Sequence, residues 1–342
     1  MSKGALLINL GSPDSPTPHD VKRYLGEFLM DKYVIDIPYI SRTLLVKGII
    51  LRTRPEKSAR NYQKIWWDEG SPLIVLSKRM HQKIAKQTAL PVALAMRYGE
   101  PSILTGLKEL AGTGIDEVLI IPLYPQHAMA TTVTILEKAH SLQKKYFREM
   151  KLSSLPAFYH RPEYISALAE SIRESLAGEE IDHLLFSYHG IPERHILKSD
   201  ITHSHCKIDG SCCQTPSPAH EFCYRHQCYE TTRLVCEELG LAVDKVSTSF
   251  QSRLGKEAWL KPYTSETVQK LAKDGVKKLA IVTPAFVADC LETLEEIGME
   301  AKNEFLKHGG EEFLAIPCLN DNEEWCKVIS GWIEEWAKYH SI

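Results

Sequence analysis

The sequence lacks three features that would assign it to a class at once: a long apolar run, an excess of charge of one sign, and a glycine-rich nucleotide motif. A conspicuous apolar stretch, residues 44–51, is far too short to cross a bilayer. The 41 basic residues nearly balance the 44 acidic ones, which argues against nucleic-acid binding driven by bulk charge. Gly11-Ser12-Pro13 lacks the GxGxxG spacing, and no Walker A motif occurs. We therefore expect a globular protein without a transmembrane segment or a nucleic-acid partner.

A complete set of internal disulfides is also excluded, because the chain has nine cysteines. The apolar run Ala5–Leu10 is too short for a secretory signal, and no small-residue cleavage site follows it. We therefore expect a cytoplasmic protein, in which clustered cysteines more often bind metals or catalyse reactions than form cross-links. Five cysteines lie in one short window: Cys206, Cys212, Cys213, Cys223 and Cys228.

The pattern of apolar segments predicts a doubly wound α/β fold. Short apolar runs bounded by turn residues indicate buried parallel strands: Ala5–Asn9, Val92–Met96, Glu117–Ile121, Leu184–Tyr188, Val246–Phe250, Leu279–Thr283 and Phe313–Ile316. Between them lie helical patterns: Leu76–Thr88, Ser102–Leu110, Pro162–Leu176, Thr264–Lys273 and Leu291–Lys307. This alternation of strand and helix is typical of parallel sheets covered by helices.

The order of elements occurs twice, which predicts two domains over residues 1–155 and 156–342. A terminal helix over Asn322–Tyr339 carries tryptophans at helical spacing and is placed in the second domain. The apolar segment Leu44–Leu51 is interpreted either as a buried helix or as an apolar lip for a hydrophobic ligand or a membrane surface.

Two groups of titratable residues follow strands of the second domain. His189 ends a strand just before Gly190, where ligands gather in open α/β sheets, and its pKa range suits a proton acceptor or metal ligand. The alternative is a structural histidine beside a turn. If a helix begins near Asp289, then Asp289, Glu292 and Glu296 share one face. Such a row either binds a cation or is a solvated acidic face favoured by the helix dipole.

Other strand ends carry residues suited to contacting a ligand. Arg97 is a candidate partner for an acidic group, with a structural ion pair as the alternative. Trp259, near Pro262, is a candidate wall for a flat ligand, with a core aromatic as the alternative. Gln126 follows another strand in a Tyr-Pro-Gln segment.

The cysteine window, residues 202–229, has the composition of a loop and little apolar content with which to form a core. A loop of this length inside a compact domain needs something to hold it. Its cysteine spacings match neither a zinc ribbon nor a plant-type ferredoxin. The alternatives are an iron–sulfur cluster on four thiolates, a zinc site with mixed Cys and His ligands, and redox-sensitive thiols.

Over nearly its whole length the chain resembles the ferrochelatases, most closely the proteobacterial ones. The matching segments are LLINLGSP at 6–13, YLGEFLMDKYVIDIP at 24–38, PLYPQ at 122–126, SYHGIP at 187–192, FQSRLG at 250–255, WLKPYT at 259–264 and FVADCLETLEEI at 286–297. The resemblance implies two pseudo-symmetric Rossmann-like domains with parallel sheets and a porphyrin cleft between them. It also implies insertion of ferrous iron into protoporphyrin IX with release of two protons, the last step of haem biosynthesis.

The resemblance assigns roles to individual residues. His189 and Glu292 match the catalytic and iron-binding pair, and Asp289 and Glu296 match an acidic track. Cys290 stands where many relatives have histidine. The matching porphyrin-binding positions are Leu10, Arg97, Tyr98, Gln126 and Trp259. Leu10 stands where some relatives have Tyr or Met, and its side chain offers no oxygen or sulfur ligand.

The cysteine-rich loop, at about 201–228, departs from the close relatives, because about sixteen residues are inserted between Ile201 and Phe222. Since some ferrochelatases carry a [2Fe–2S] cluster, we predict such a cluster on Cys206, Cys212, Cys213 and Cys223, with Cys228 in reserve and zinc as the alternative ion. The apolar lip suits peripheral contact with a membrane. A metal- or haem-binding redox sensor on a chelatase fold is the alternative function.

Overall fold

The structure is a computed structural model that describes residues 2–253, 255 and 257–339. Leu254 of the FQSRLG segment lies outside this part of the chain. So do residues 1 and 340–342, which are at the ends of the two predicted domains. Two compact units are present. The first comprises Met1–Tyr124, Met129–Pro156 and Asn320–Ile342, and the second comprises Pro125–Ala128 and Ala157–Leu319.

The sheet of the first unit has four parallel strands in the order β2-β1-β3-β4. The strands are β1 (Lys3–Asn9), β2 (Val92–Met96), β3 (Glu117–Pro122) and β4 (Lys151–Ser154). The first three are buried along their length, which explains their continuous apolar sequences. β4 is an edge strand with exposed ends, so it carries no apolar run and was not predicted.

Helices pack against this sheet. Two further segments, which adjoin these helices, are π-helical. The α-helices are α1 (Pro18–Leu29), α2 (Tyr39–Thr43), α3 (Leu51–Thr53), α4 (Pro55–Ile65), α5 (Pro72–Gln87), α6 (Ile103–Gly112) and α7 (Thr134–Tyr146). The π-helical segments are π1 (Leu44–Ile50), which joins α2 to α3, and π2 (Met129–Val133), which leads into α7.

The second unit repeats the topology of the first. Its four parallel strands lie in the order β6-β5-β7-β8, which is the same pattern of crossovers. The strands are β5 (His183–His189), β6 (Val246–Gln251), β7 (Lys278–Val282) and β8 (Glu312–Ala315).

The remaining helices are α8 (Pro162–Leu176), α9 (Glu193–Lys198), α10 (Tyr224–Leu239), α11 (Thr264–Lys273), π3 (Glu292–Ala301), α12 (Lys302–Lys307) and α13 (Glu323–Tyr339). Three short 3₁₀ turns lie at Ser211–Gln214, Pro218–Glu221 and Val243–Lys245. The cysteine-rich loop therefore contains only single turns of helix before α10 begins.

The predicted α/β class is confirmed by the two parallel sheets, and each of the seven predicted strands corresponds to a strand of the structure. The terminal helix needs a correction. The predicted second domain includes this helix, but α13 belongs to the first unit. The reason is its apolar face, since Trp325, Ile329 and Ile333 are buried and Cys326 donates its thiol to the carbonyl of Met80 on α5.

Candidate functional site

His189 is the last residue of β5, at the carboxyl edge of the second sheet. Ligands of open α/β sheets bind beyond such strand ends. The ring of His189 is partly buried and lies near two aromatic rings, with centroid distances of 6.4 Å to Trp259 and 6.1 Å to Phe286. Both neighbours come from segments that follow other strands, so the fold brings three strand ends to one position.

The hydrogen bond of the His189 ring fixes which nitrogen can act as a base. Nδ1 lies 2.6 Å from the carbonyl oxygen of Gly190. Because a carbonyl only accepts, Nδ1 carries the proton in this contact and the lone pair of the neutral ring is on Nε2. His189 is thus arranged to take a proton or to bind a cation through Nε2.

Gln251 connects His189 to Glu292. It lies beside His189 in the register of β5 and β6, and its side-chain amide donates to the carbonyl oxygen of Glu292 at 3.1 Å. The hydroxyl of Ser187 donates to Gln251 Oε1 at 2.8 Å and holds the amide in this orientation. The start of π3, and with it Glu292, is therefore anchored to the strand end that carries His189.

Glu296 follows Glu292 within π3. Burial is the main reason that its pKa is raised, to about 8, and the nearby charge of Glu292 acts in the same direction. The hydroxyl of Ser252 donates to Glu296 Oε2 and opposes this shift. Glu292 and Glu296 thus form a pair in which one carboxyl readily holds a proton near neutral pH.

Asp289 lies before π3 rather than on a shared helical face, which differs from the predicted arrangement. It is buried, and its Oδ1 accepts from the hydroxyl of Thr293 at 2.7 Å and from the backbone N–H of Cys318 at 3.4 Å. The helix begins only near Glu292 and is a π-helix, so the α-helical spacing assumed from the sequence does not apply. Burial raises the pKa of the neighbouring Cys290 thiol, which disfavours the thiolate needed in a metal ligand.

Trp259 lies against the turn that follows His189. Its backbone forms an antiparallel bridge with Pro192, and the next N–H, of Leu260, donates to the carbonyl of Ile191 at 3.0 Å. A side chain at Gly190 would come within 3.3 Å of the Trp259 ring. The half-buried indole therefore forms a wall beside His189.

Two predicted porphyrin-binding residues of the first unit, Arg97 and Tyr98, donate hydrogen bonds to one carboxylate, that of Asp31. Arg97 pairs with Asp31 and donates from Nε to Thr134 Oγ1 at 2.7 Å. The hydroxyl of Tyr98 donates to the same carboxylate at 2.9 Å, and the Tyr98 side chain is fully buried. Leu10 is partly buried against the core beside β1, and its carbonyl accepts from the Tyr98 N–H at 2.9 Å.

Gln126 is buried in the second unit, where its amide donates to Thr231 Oγ1 on α10 at 3.1 Å. Arg97 and Gln126 therefore each form hydrogen bonds with other side chains of their own unit. The structure brings His189 and Trp259 together, ties Glu292 to the same sheet edge through Gln251 and places Glu296 near Glu292. Asp289 precedes π3, and its carboxylate accepts from Thr293 and Cys318.

The four predicted cluster ligands are buried neighbours: Cys206, Cys212, Cys213 and Cys223. A thiol–thiol hydrogen bond with Cys223, together with burial, raises the pKa of Cys213. Cys206 interacts with Cys223 as well, and burial and the charge of Asp200 raise its pKa. N–H groups point to two of the sulfurs. Lys207 N lies 3.1 Å and Arg225 Nη2 lies 3.7 Å from Cys212 Sγ, and Arg225 Nε lies 3.3 Å from Cys213 Sγ.

Cys228, the reserve ligand, lies fully buried on α10. Among the residues described, no three His, Cys, Asp or Glu side chains converge as they would around a single metal ion. The four thiols therefore share one buried region without forming a preorganised mononuclear site.

Sequence reasoning missed four residues of this site: Gln251, Ser252, Phe286 and Tyr224. Gln251, Ser252 and Phe286 lie in the FQSRLG and FVADCLETLEEI segments. Their position at or after the ends of strands could have indicated them. Tyr224 gave no such signal, because its contact with His189 joins residues 35 positions apart.

One further surface bears on function. Four apolar side chains of α2 and π1 are largely exposed: Tyr39, Ile40, Leu44 and Ile49. Val46 and Ile50 of π1 are buried, so this segment has one buried and one exposed apolar side. No helix in the described part of the chain is long and apolar enough to cross a membrane.

Comparisons with known proteins identify the family. A ferrochelatase family model matches residues 2–337. The chain is 51% identical over 327 residues to the ferrochelatase of Pseudomonas fluorescens (strain Pf0-1), with 95% of each protein covered. It is 49% identical over 326 residues to that of Stutzerimonas stutzeri (strain A1501), again with 95% of each covered.

Solved structures confirm the fold. SirB from Bacillus subtilis with Fe3+ matches with a TM-score of 0.56 at 12% identity, over 98% of this chain and 95% of the other. The cobalt complex of the sirohydrochlorin chelatase SirB from Bacillus subtilis subspecies spizizenii matches with a TM-score of 0.55 at 11% identity, over 99% and 97%. From the family model and the relatives near 50% identity, this chain belongs to the ferrochelatase family.

Proposed function

We propose that this protein inserts ferrous iron into protoporphyrin IX, releasing two protons and forming protohaem as the last step of haem biosynthesis. The observation that carries the proposal is the edge of the second sheet, where the lone pair of the neutral His189 ring is on Nε2 and Gln251 anchors Glu292. The redox-sensor alternative has less support, because the whole chain matches the family.

The chemistry of metal insertion explains these residues. A free-base porphyrin must lose two N–H protons and admit a dication through its face. His189 takes a pyrrole proton at Nε2, and Glu292 accepts a proton or binds the incoming ferrous ion. Glu296, with a pKa near 8, passes protons onward because it changes protonation within the neutral range.

Substrate distortion supplies a second part of the catalysis. A bent macrocycle exposes its nitrogen lone pairs, so a site complementary to the bent ring lowers the barrier to metal entry. Trp259 is the proposed wall that imposes this distortion. The remaining proposed porphyrin contacts are Leu10, Arg97, Tyr98 and Gln126. The cleft that the resemblance implies, and the role of Asp289 in an acidic track, stay predictions.

The experiment that tests this function is anaerobic incubation of the purified protein with ferrous iron and either protoporphyrin IX or coproporphyrin III. We expect haem formation with a strong preference for protoporphyrin IX. Preference for coproporphyrin III would contradict the proposed substrate, and no metal insertion into either porphyrin would contradict the proposed activity.

We also propose a [2Fe–2S] cluster held by Cys206, Cys212, Cys213 and Cys223. The donor set fits, since four thiols lie buried in one region and N–H groups point to two of the sulfurs. A zinc site with mixed Cys and His ligands is the alternative at this loop. When bound, the cluster would supply a one-electron redox centre that stabilises the loop.

Iron and acid-labile sulfide analysis of anaerobically purified protein tests the cluster. We expect about two irons and two sulfides per chain, lost in the Cys223→Ser variant. Cys236→Ser is the matched control, because Cys236 lies further along α10 and outside the four thiols. Stoichiometric zinc without sulfide would contradict the proposal.

A third proposal is peripheral contact with a membrane through Tyr39, Ile40, Leu44 and Ile49. These side chains are between 59% and 74% exposed and would bury apolar area in a lipid interface. In co-sedimentation with phospholipid vesicles, the Leu44→Ser/Ile49→Ser variant should bind at least about threefold more weakly than the unmodified protein. Val243→Ser is the control, because Val243 is 90% exposed in the other unit. Equal binding of all three proteins would contradict this contact.

A further inference from the structure

The first turns of α10 contact both the cysteine-rich loop and the turn that carries His189. Cys223 is the residue just before α10, and Tyr224 is its first residue. These neighbours face different surroundings. Cys223 lies among the buried thiols, whereas Tyr224 reaches the end of β5.

Tyr224 helps to fix the peptide group between His189 and Gly190. Its buried hydroxyl donates to the carbonyl oxygen of His189 at 2.8 Å. The N–H of the same peptide group, on Gly190, donates to the carbonyl of Gln251 at 2.6 Å. Since the carbonyl of Gly190 in turn accepts from His189 Nδ1, the orientation of this backbone sets the direction of the imidazole.

The same face of α10 holds the segment around Gln126. Gln227 and Thr231 lie three and seven residues after Tyr224, which places all three side chains on one helical face. Gln227 Oε1 accepts from the backbone N–H of His127 at 2.6 Å, and Thr231 accepts from Gln126. This face therefore fixes two segments that the proposed function uses.

Other contacts attach α10 to the cysteine-rich loop. Arg225 donates from Nε to Cys213 Sγ and from Nη1 to the carbonyl of Ile208 at 2.6 Å. The amide of Gln227 donates to the carbonyls of His220 and Glu221, at 3.1 and 2.8 Å. A change in the packing of the loop therefore acts on the same helical turns that hold the catalytic segment.

We infer that Tyr224 is a positioning residue for His189, and that α10 couples the packing of the cysteine-rich loop to the geometry of the catalytic turn. The inference deepens the proposed function and rests on it for the role of His189. It gives the inserted loop a function in the reaction without any contact between its cysteines and the substrate.

The first test is the Tyr224→Phe variant, which removes only the hydroxyl. Loss of one net hydrogen bond should lower kcat about fivefold, with KM for protoporphyrin changed less than about twofold. Hydrogen–deuterium exchange in the peptide covering residues 186–192 should accelerate by a similar factor. Tyr229→Phe is the control, since Tyr229 lies on the same helix with its ring edge-on to Phe250. Unchanged exchange and kcat in Tyr224→Phe would overturn the inference.

The second test asks whether the loop acts through the same hydrogen bond. Cys223→Ser should accelerate exchange in residues 186–192, and adding Tyr224→Phe should produce little further change, because the two act in one chain of contacts. Fully additive effects, or no effect of Cys223→Ser on this peptide, would overturn the coupling. Exchange is measured without turnover, so this result is distinguishable from failure of the proposed chelatase activity.

Discussion

At the carboxyl edge of the first sheet, polar side chains pair with one another, whereas the same edge of the second sheet carries a histidine lone pair and a carboxyl with a raised pKa. In the first unit, Arg97, Tyr98 and Thr134 all donate to the carboxylate of Asp31. In the second unit, His189 has its lone pair on Nε2, and Glu296 has a pKa raised toward neutrality. The two sheets have the same strand order.

This difference teaches that topology places residues at a strand end but does not decide their chemistry. A carboxylate that accepts hydrogen bonds from three side chains is held in place by them. A carboxyl that is buried beside another carboxylate is stabilised in its neutral form. We therefore expect substitutions in the first unit to affect stability most, and substitutions in the second unit to affect turnover most.

The largest effect is expected from Glu292→Gln, which keeps the shape of the side chain and removes its ability to accept a proton. Loss of a general base should lower kcat by about 10²- to 10³-fold in a zinc-insertion assay followed by porphyrin fluorescence. Glu300→Gln is the matched control, because Glu300 lies on the same π-helix and is exposed. A kcat of Glu292→Gln within threefold of that of the control would contradict the proposed site.

Asp31→Asn should lower the free energy of unfolding by about 3 kcal/mol, because it leaves the largely buried Arg97 guanidinium without its counter-charge. Urea denaturation measures this change, and kcat per folded molecule should fall only a few-fold. Asp68→Asn, at an exposed position, should leave the unfolding free energy within about 0.5 kcal/mol. If Asp31→Asn lost most of its kcat without losing stability, the proposed difference between the two units would be contradicted.

Glu296→Gln should change how stability depends on pH. Because the pKa of Glu296 is about 8 in the folded state and 4.5 is its ordinary value, the folded chain retains a proton that the unfolded chain releases. This contribution to stability is complete below pH 4.5 and is lost as the pH rises through 8. Between pH 6 and 9 the unmodified protein should therefore lose on the order of 2 kcal/mol more than the variant. Urea unfolding at both pH values measures this, and parallel losses would contradict the raised pKa.

The sequence predicted the strands well because their signal is local. Buried parallel strands such as β1 and β3 are continuous apolar runs, and this pattern does not depend on the rest of the fold. β4 was missed because its residues are exposed at the sheet edge. The position of α13 could not be predicted, because its apolar face fits any apolar surface, and only the folded chain shows that this surface includes α5.

The candidate site was predicted in part for a similar reason. His189 ends a strand, Trp259 and Glu292 lie in segments that follow strands, and the family resemblance marks each of them. A shared helical face for Asp289 and Glu292 requires a helix that begins near Asp289, whereas π3 begins at Glu292. Tyr224 was missed because a hydrogen bond to a distant backbone carbonyl has no sequence signature.

The most direct measurement is anaerobic haem formation by His189→Ala, made together with a titration of protoporphyrin binding on the same sample. We expect that binding changes less than about threefold while the rate of iron insertion falls by about 10²- to 10³-fold, with His140→Ala on α7 behaving like the unmodified protein. Haem formation by His189→Ala at the unmodified rate would contradict the claim that the edge of the second sheet carries out the reaction.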